Sequence, residues 1–194
     1  LLLLATLLFP HTSYADGWNQ QLYDEIASRI QAPTFPEKDF LVTKYGAKTT
    51  EEKEGALQPK QLKALALKNQ KAINKAISAC AKAGGGRVVI PVGTWHTGAI
   101  RLQSGVNLYL AEGATLLFAY EPELYPLVQT RWEGLDLLNY SPCIYACDAQ
   151  NIAITGKGTI DGQGTKETWW PWCGATKYGF DSSSTPESQA MPWT

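Results

Sequence analysis

The chain has 194 residues, with 17 Lys plus Arg against 18 Asp plus Glu, for a net charge of −1. That balance excludes a nucleic-acid binder, which needs a basic face. Charged residues at 18% and hydrophobic residues at 44% exclude a disordered chain, and the length suits one domain with its own core.

Residues 1–15 open with an apolar run, Leu1 to Phe9, and close on Ser13-Tyr14-Ala15. The run is too short to span a bilayer. With its small-x-small ending it reads as a secretory signal peptide lacking its charged start. The sequence therefore predicts a secreted or periplasmic product beginning near Asp16, with no membrane contact after cleavage. Residues 16–38 form a lead-in. Leu22, Ile26 and Ile30, spaced by four, predict a helix over 16–30, and Pro33 and Pro36 an extended path. The main domain is placed at 39–194, continuing past the last residue. It opens with a predicted strand over 39–45, where Leu41, Thr43 and Tyr45 alternate before Gly46. Residues 48–60 are polar and predict a loop.

The strongest helix signal lies over 61–83, with a start between Pro59 and Asn69. Leu62, Leu65, Ala66, Asn69, Ala72, Ile73, Ala76, Ile77 and Cys80 recur at spacings of three and four, and Gly84 follows as a stop. After Gly84-Gly85-Gly86 the pattern changes to apolar doublets and triplets. These are 88–90, 100–102, 108–110, 115–118, 144–146, 152–154 and 158–160. Strands this short suit the coils of a solenoid. Residues 97–117 also align without gaps on 141–161, placing Ile100 on Ile144, Asn107 on Asn151, Leu108 on Ile152 and Thr115 on Thr159. The expected fold is an all-β, right-handed parallel β-helix. Residues 120–140 form a loop leaving the stack. The amphipathic helix caps the first coil through Ala72, Ile73, Ala76 and Ile77, protecting an edge open to aggregation.

Several blocks resemble the N-terminal part of glycoside hydrolase family 28, the polygalacturonases, nearest the bacterial exo-acting branch. They are FLVTKYGA (40–47), NQKAINKAISACAKAGGG (69–86), VVIPVGTWHTG (88–98), LYLAEGATLL (108–117) and NIAITGKGTIDGQG (151–164), followed by WWPW (169–172). The resemblance implies a pectin-lyase-like solenoid. It also implies hydrolysis of α-1,4 galacturonosyl links in pectin or polygalacturonate, by paired Asp with inversion and without a cofactor. The family's Asn-x-Asp, Asp-Asp, Gly-His-Gly and Arg-x-Lys motifs are all absent from the sequence. The expectation is that the catalytic coils lie past Thr194, that no catalytic residue is in hand, and that the chain alone is inactive. A polysaccharide lyase on the same fold and a non-catalytic polysaccharide-binding β-helix stay open as alternatives.

The residues singled out for polysaccharide contact are Arg131, Trp132, Trp169 and Trp170. A sugar's C–H face packs on an aromatic ring, and a guanidinium binds a carboxylate in bidentate fashion. Arg87 and Arg101 are weaker candidates for the same work. Asp161, in TIDGQG, reads as a turn former, and His96 as a strand-edge residue. Asp136 and Asp148 read as loop residues, and Glu121 and Glu123 as solvated. Cys80, Cys143, Cys147 and Cys173 lack zinc-site spacing, so no metal site is expected; export permits disulfides, and the spacing leaves their pairing open.

Overall fold

The computed structural model describes residues 19–50 and 57–170. The predicted signal segment, Trp172 and Cys173 lie outside them. The chain divides into two units, 1–32 and 33–194. In the first, α1 spans Gln20–Arg29, and the Asn19 side chain caps it by accepting from the Leu22 amide at 3.0 Å. Its apolar stripe, Leu22, Tyr23, Ile26 and Ile30, is exposed.

The second unit begins with β1, Asp39–Leu41, which pairs in parallel with β2, Gly86–Ile90. The strand expected to reach Tyr45 stops four residues short, and Val42–Tyr45 is a 3₁₀ turn. The inward face is also the other one: Phe40, beside fully buried Val88, packs against the core, whereas Leu41 lies beside Val89 on the outer face. Val42 is completely buried in the same core, and Gly46, at φ +98°, closes the turn with bonds to the Thr43 and Val42 carbonyls. Helix α2 spans Pro59–Lys82. Pro59 takes the first helical position, the Gln61 side chain accepts from the Gln58 amide at 2.8 Å, and Gly84 follows the end at φ +86°. The predicted stripe is buried from Leu65 to Cys80, and Leu62 is half-buried.

The coils follow. β2 is succeeded by β3 (Gly93–Thr97) and β4 (Ile100–Arg101), then by β5 (Val106–Leu110) and β6 (Ala114–Phe118). Gly86 lies beside Val106, 20 residues on, and Gly93 beside Ala114, 21 residues on. One turn of the solenoid therefore takes 20 or 21 residues. β3 escapes the apolar pattern in the sequence because Trp95 is its one large apolar residue. Trp95 is nonetheless fully buried, its indole donating to the Pro91 carbonyl at 2.7 Å.

After β6 the chain leaves the stack. The excursion is not the plain loop expected. It holds a 3₁₀ turn, Pro122–Leu124, and an antiparallel hairpin of β7 (Leu127–Trp132) and β8 (Leu135–Tyr140). Its two-residue turn, Glu133-Gly134, has φ of +47° and +90°, the left-handed pair that matches the twist of a hairpin. The chain then rejoins as β9 (Ile144–Tyr145), β10 (Ala153–Gly156) and β11 (Thr159–Asp161). Three parallel sheets result, in the orders β1-β2-β5-β10, β3-β6-β11 and β4-β9. The architecture is a parallel β-helix with a helix at its first coil. Side chains stack inward in columns: Val88, Leu108 and Ile154 in one sheet; Trp95, Leu116 and Ile160 in the next; Ile100 and Ile144 in the third.

The repeat is partly misaligned by the sequence. Ile100 does meet Ile144 and Thr115 meets Thr159. Between them Leu108 meets Ile154, not Ile152, and Asn107 meets Ala153, not Asn151. The corner before β10 is two residues longer than its counterpart, and the turn after it two shorter. A shift of two keeps every side chain on its own face, so the gapless pattern still looked regular.

Helix α2 closes the first coil with amides as well as apolar side chains. Ile73, Ala76 and Ile77 join the core formed by Val88, Trp95 and Leu108. Asn69, fully buried, donates to the carbonyls of Lys48 and His96 and accepts from the Lys48 amide, each at 2.8 Å. Asn74 donates to the Ala99 carbonyl at 3.1 Å and accepts from the Arg101 amide at 2.8 Å. These side chains satisfy β3 and the start of β4 where a preceding coil would otherwise do so.

Candidate functional site

The four residues chosen from sequence fall in two places. Arg131 and Trp132 are consecutive on β7, so their side chains point to opposite faces of the hairpin. Arg131 donates to the Gly134 carbonyl at 3.1 Å, and its guanidinium lies 4.0 Å from Asp136 across the ribbon. Both side chains are well exposed, so this pair contributes little to stability. Trp132 stands opposite Leu135 at the hairpin tip and is 64% exposed.

Trp169 and Trp170 follow β11. Asp161 makes the turn the sequence suggested: its carboxylate accepts from the Gln163 amide at 2.8 Å, with Gln163 at φ +53°. Gln163 then reaches back to donate to the Phe118 carbonyl. Thr168 donates to the Gln163 carbonyl, and the Trp170 amide to that of Thr165. This knot of bonds sets Trp169 edge-on to Tyr120, with ring centroids 4.7 Å apart, and to Tyr125 at 5.4 Å. Trp170 is turned outward and is 42% exposed.

Trp169 forms one wall of a cleft of about 230 Å³, completed by Pro122, Tyr125, Tyr140, Ser141 and Cys143. Arg131, Trp132 and Trp170 do not line it. Sequence reasoning missed the other walls. The available signal was the set of tyrosines in the excursion, Tyr120, Tyr125 and Tyr140. Tyr125 is buried and donates its hydroxyl to the Ala119 carbonyl at 2.7 Å. Burial pushes its ionisation far up, and Cys143 beside it adds to the effect. Burial likewise keeps Cys143 a thiol.

The remaining candidates are already engaged. Arg87 holds Asp39 in bidentate fashion, both bonds at 2.8 Å, and its guanidinium lies 5.0 Å from the Tyr109 ring centre. Arg101 lies 5.9 Å from the ring centre of Tyr145. His96 sits half-buried in β3, the first strand of its sheet, as expected. Asp136 is on β8, not in a loop, and Glu121 and Glu123 are not simply solvated: both bind Lys63 of α2, at 2.9 and 2.6 Å. These two carboxylates share one cation, but their setting is wrong for acid catalysis. The Lys63 ammonium lowers the pKa of Glu123, whereas a general acid must be raised to keep its proton. Among the described residues, no group of three His, Cys, Asp or Glu could hold a metal ion.

Comparison with known proteins adds what the geometry alone does not. No family profile matches the chain. It is 32% identical over 165 residues to an exo-poly-alpha-D-galacturonosidase of Dickeya chrysanthemi, covering 81% of this chain and 24% of that protein. A solved hyperthermoactive exopolygalacturonase from Thermotoga maritima is 34% identical, with a TM-score of 0.69 over 84% of this chain and 33% of its own. A family 28 exopolygalacturonase from Yersinia enterocolitica is 32% identical, with a TM-score of 0.52 over 66% of this chain and 21% of its own. The chain thus spans between a fifth and a third of the length of these relatives.

Proposed function

Sequence and fold together make this chain a relative of the glycoside hydrolase family 28 polygalacturonases, and on that footing we propose that it forms the cap and first coils of a hydrolase of α-1,4 galacturonosyl links. The observation that carries the reading is the match to the Thermotoga maritima exopolygalacturonase, at 34% identity across 84% of the chain. The coil geometry supports the same reading. Leu108 and Leu116 are fully buried, while Ile154 and Ile160, the next members of their columns, are 46% and 43% exposed. A further coil laid on β10 and β11 would bury them as their neighbours are buried.

In this proposal the chain supplies the end cap and the hairpin, and the acid–base pair comes from later coils. In the same proposal Trp132 and Trp170, both exposed, would pack on sugar faces, and Arg131, on the other face of the hairpin from Trp132, would bind a carboxylate. The apolar opening segment would direct export, and no helix among the described residues is long and apolar enough to cross a membrane. The test is release of reducing ends from polygalacturonate. The 194-residue chain should release none above a blank, and the product of the whole gene should release galacturonate. Release by the 194-residue chain, or none by the whole product, would refute the proposal.

A further inference from the structure

Of the four arginines in the chain, three already face a carboxylate. Arg29, Arg87 and Arg131 lie within 4.0 Å of Glu25, Asp39 and Asp136 in turn. The Arg101 guanidinium meets no carboxylate and no hydrogen-bond acceptor among the described residues; its neighbour is the Tyr145 ring, with the ring centre 5.9 Å away. That contact steadies the group but leaves its charge without a counter-ion. The two residues stand beside each other on the outer face of the β4-β9 sheet, with Ile100 and Ile144 turned into the core.

Arg101 also lines a polar hollow of about 520 Å³, a size ordinary for a small-molecule site. Gln103, Ser104, Cys147 and Asp148 share the lining. The hollow lies where two successive coils turn out of β4 and β9, and backbone bonds stack one corner on the other. The Leu102 amide donates to the Tyr145 carbonyl at 2.8 Å, and the Gly105 amide to the Gln150 carbonyl at 3.0 Å. Ser104 Oγ accepts from the Gln150 amide at 3.0 Å, which leaves its own proton to give. Asp148, held at φ +53°, accepts from the Cys147 thiol at 3.5 Å and keeps lone pairs to spare.

A guanidinium without a counter-ion suits a carboxylate, and the hydroxyl, amide and carboxylate beside it suit the O–H groups of a sugar. A neutral sugar would leave Arg101 unmatched. A phosphate would bring more negative charge up to Asp148 and no hydroxyl to pair with it. A uronate carries one carboxylate and several hydroxyls on a single ring. From this match we infer that the hollow binds one uronate residue of the polymer, its carboxylate on Arg101 and its hydroxyls on Asp148, Ser104 and Gln103. For the choice of polymer this rests on the galacturonan-hydrolase reading.

The experiment follows Cys147, which is exposed and part of the lining. Its rate of alkylation by iodoacetamide in the full 194-residue chain is measured with added trigalacturonate or α-1,4-galactotriose, and again on Arg101→Gln. Trigalacturonate should slow the reaction at millimolar concentration, and Arg101→Gln should raise the protecting concentration about tenfold, the worth of one charged hydrogen bond. Galactotriose, the same sugar without carboxylates, should protect neither protein. Continued resistance of buried Cys80 shows that the variant is folded. The inference is overturned if trigalacturonate leaves Cys147 unprotected, if Arg101→Gln leaves the protecting concentration unchanged, or if galactotriose protects equally well. Activity of the whole gene product separates the two claims. Hydrolysis of polygalacturonate without protection of Cys147 sinks this inference alone, and protection without hydrolysis sinks the earlier reading alone.

Discussion

Asn69 looks out of place in the sequence, a lone amide within the apolar stripe of α2. Nothing in the periodicity says what it does, because its partners are 21 and 27 residues away. In the folded chain it makes three bonds at zero exposure. Asn69→Leu keeps the size but strands the Lys48 amide and two carbonyls, so it should lower unfolding free energy by about 3 kcal/mol in denaturant titrations. The Asp39–Arg87 pair is a weaker device, since both ends are substantially exposed. The guanidinium, by hydrogen bonding, holds the Asp39 carboxyl below its ordinary 3.8. The stability it adds is therefore complete above the ordinary value and lost as pH falls through the lower native one. Asp39→Asn should cost under about 1 kcal/mol at pH 7, and the gap from wild type should close as pH drops below about 4. The cysteines differ by burial. Cys80, pushed up to about 11 by desolvation, should resist alkylation until the protein unfolds, whereas exposed Cys147 should be modified in the native protein, ahead of Cys80 and Cys143, as peptide mass mapping would show.

At the scale of elements, helix α2 was legible to within a few residues because periodicity, proline and glycine all agree. The short strands were legible as apolar clusters, except β3, whose burial rests on Trp95 alone. The hairpin was not legible as strands. Its apolar residues fall on both faces, so alternation fails, and Glu133-Gly134 is a quieter turn signal than Asn-Gly. The candidate site fared similarly. Arg131, Trp132, Trp169 and Trp170 were chosen on residue type, and the fold spreads them between a hairpin and a turn. Only Trp169 reaches the cleft, whose remaining walls come from distant segments. Register was the hardest feature, because a shift of two residues is silent to a pattern of period two. The register makes its own prediction. Gly156 lies beside Leu110 at φ +103°, and a Cβ there would overlap the Leu110 carbonyl. Gly156→Ala should therefore unseat β10 and cost more than about 2 kcal/mol, whereas Gly162→Ala, which meets nothing, should cost less than half as much in the same denaturant series.

For the molecule as a whole, the two ends of the described stack contrast. The first coil is closed by α2, with apolar residues inside and side-chain amides along the strand edge. At the last, Ile154 and Ile160 remain nearly half exposed above columns that are otherwise sealed. A solenoid gains stability from neighbour to neighbour, so half-exposed isoleucines at the last described coil offer an adhesive face. The double variant Ile154→Ser, Ile160→Ser should reduce binding of a hydrophobic dye and self-association by the 194-residue chain, as read by fluorescence and sedimentation. It should lower unfolding free energy by about 1–2 kcal/mol, since roughly half of each side chain is buried on its column. The proposal that these coils open a galacturonan hydrolase meets its most direct test in the products of the whole gene. A proton NMR spectrum of polygalacturonate digested by that protein should show saturated galacturonate with new reducing ends. Signals of 4,5-unsaturated uronate would instead mark a lyase, and an unchanged polymer a binding protein; either would contradict the account.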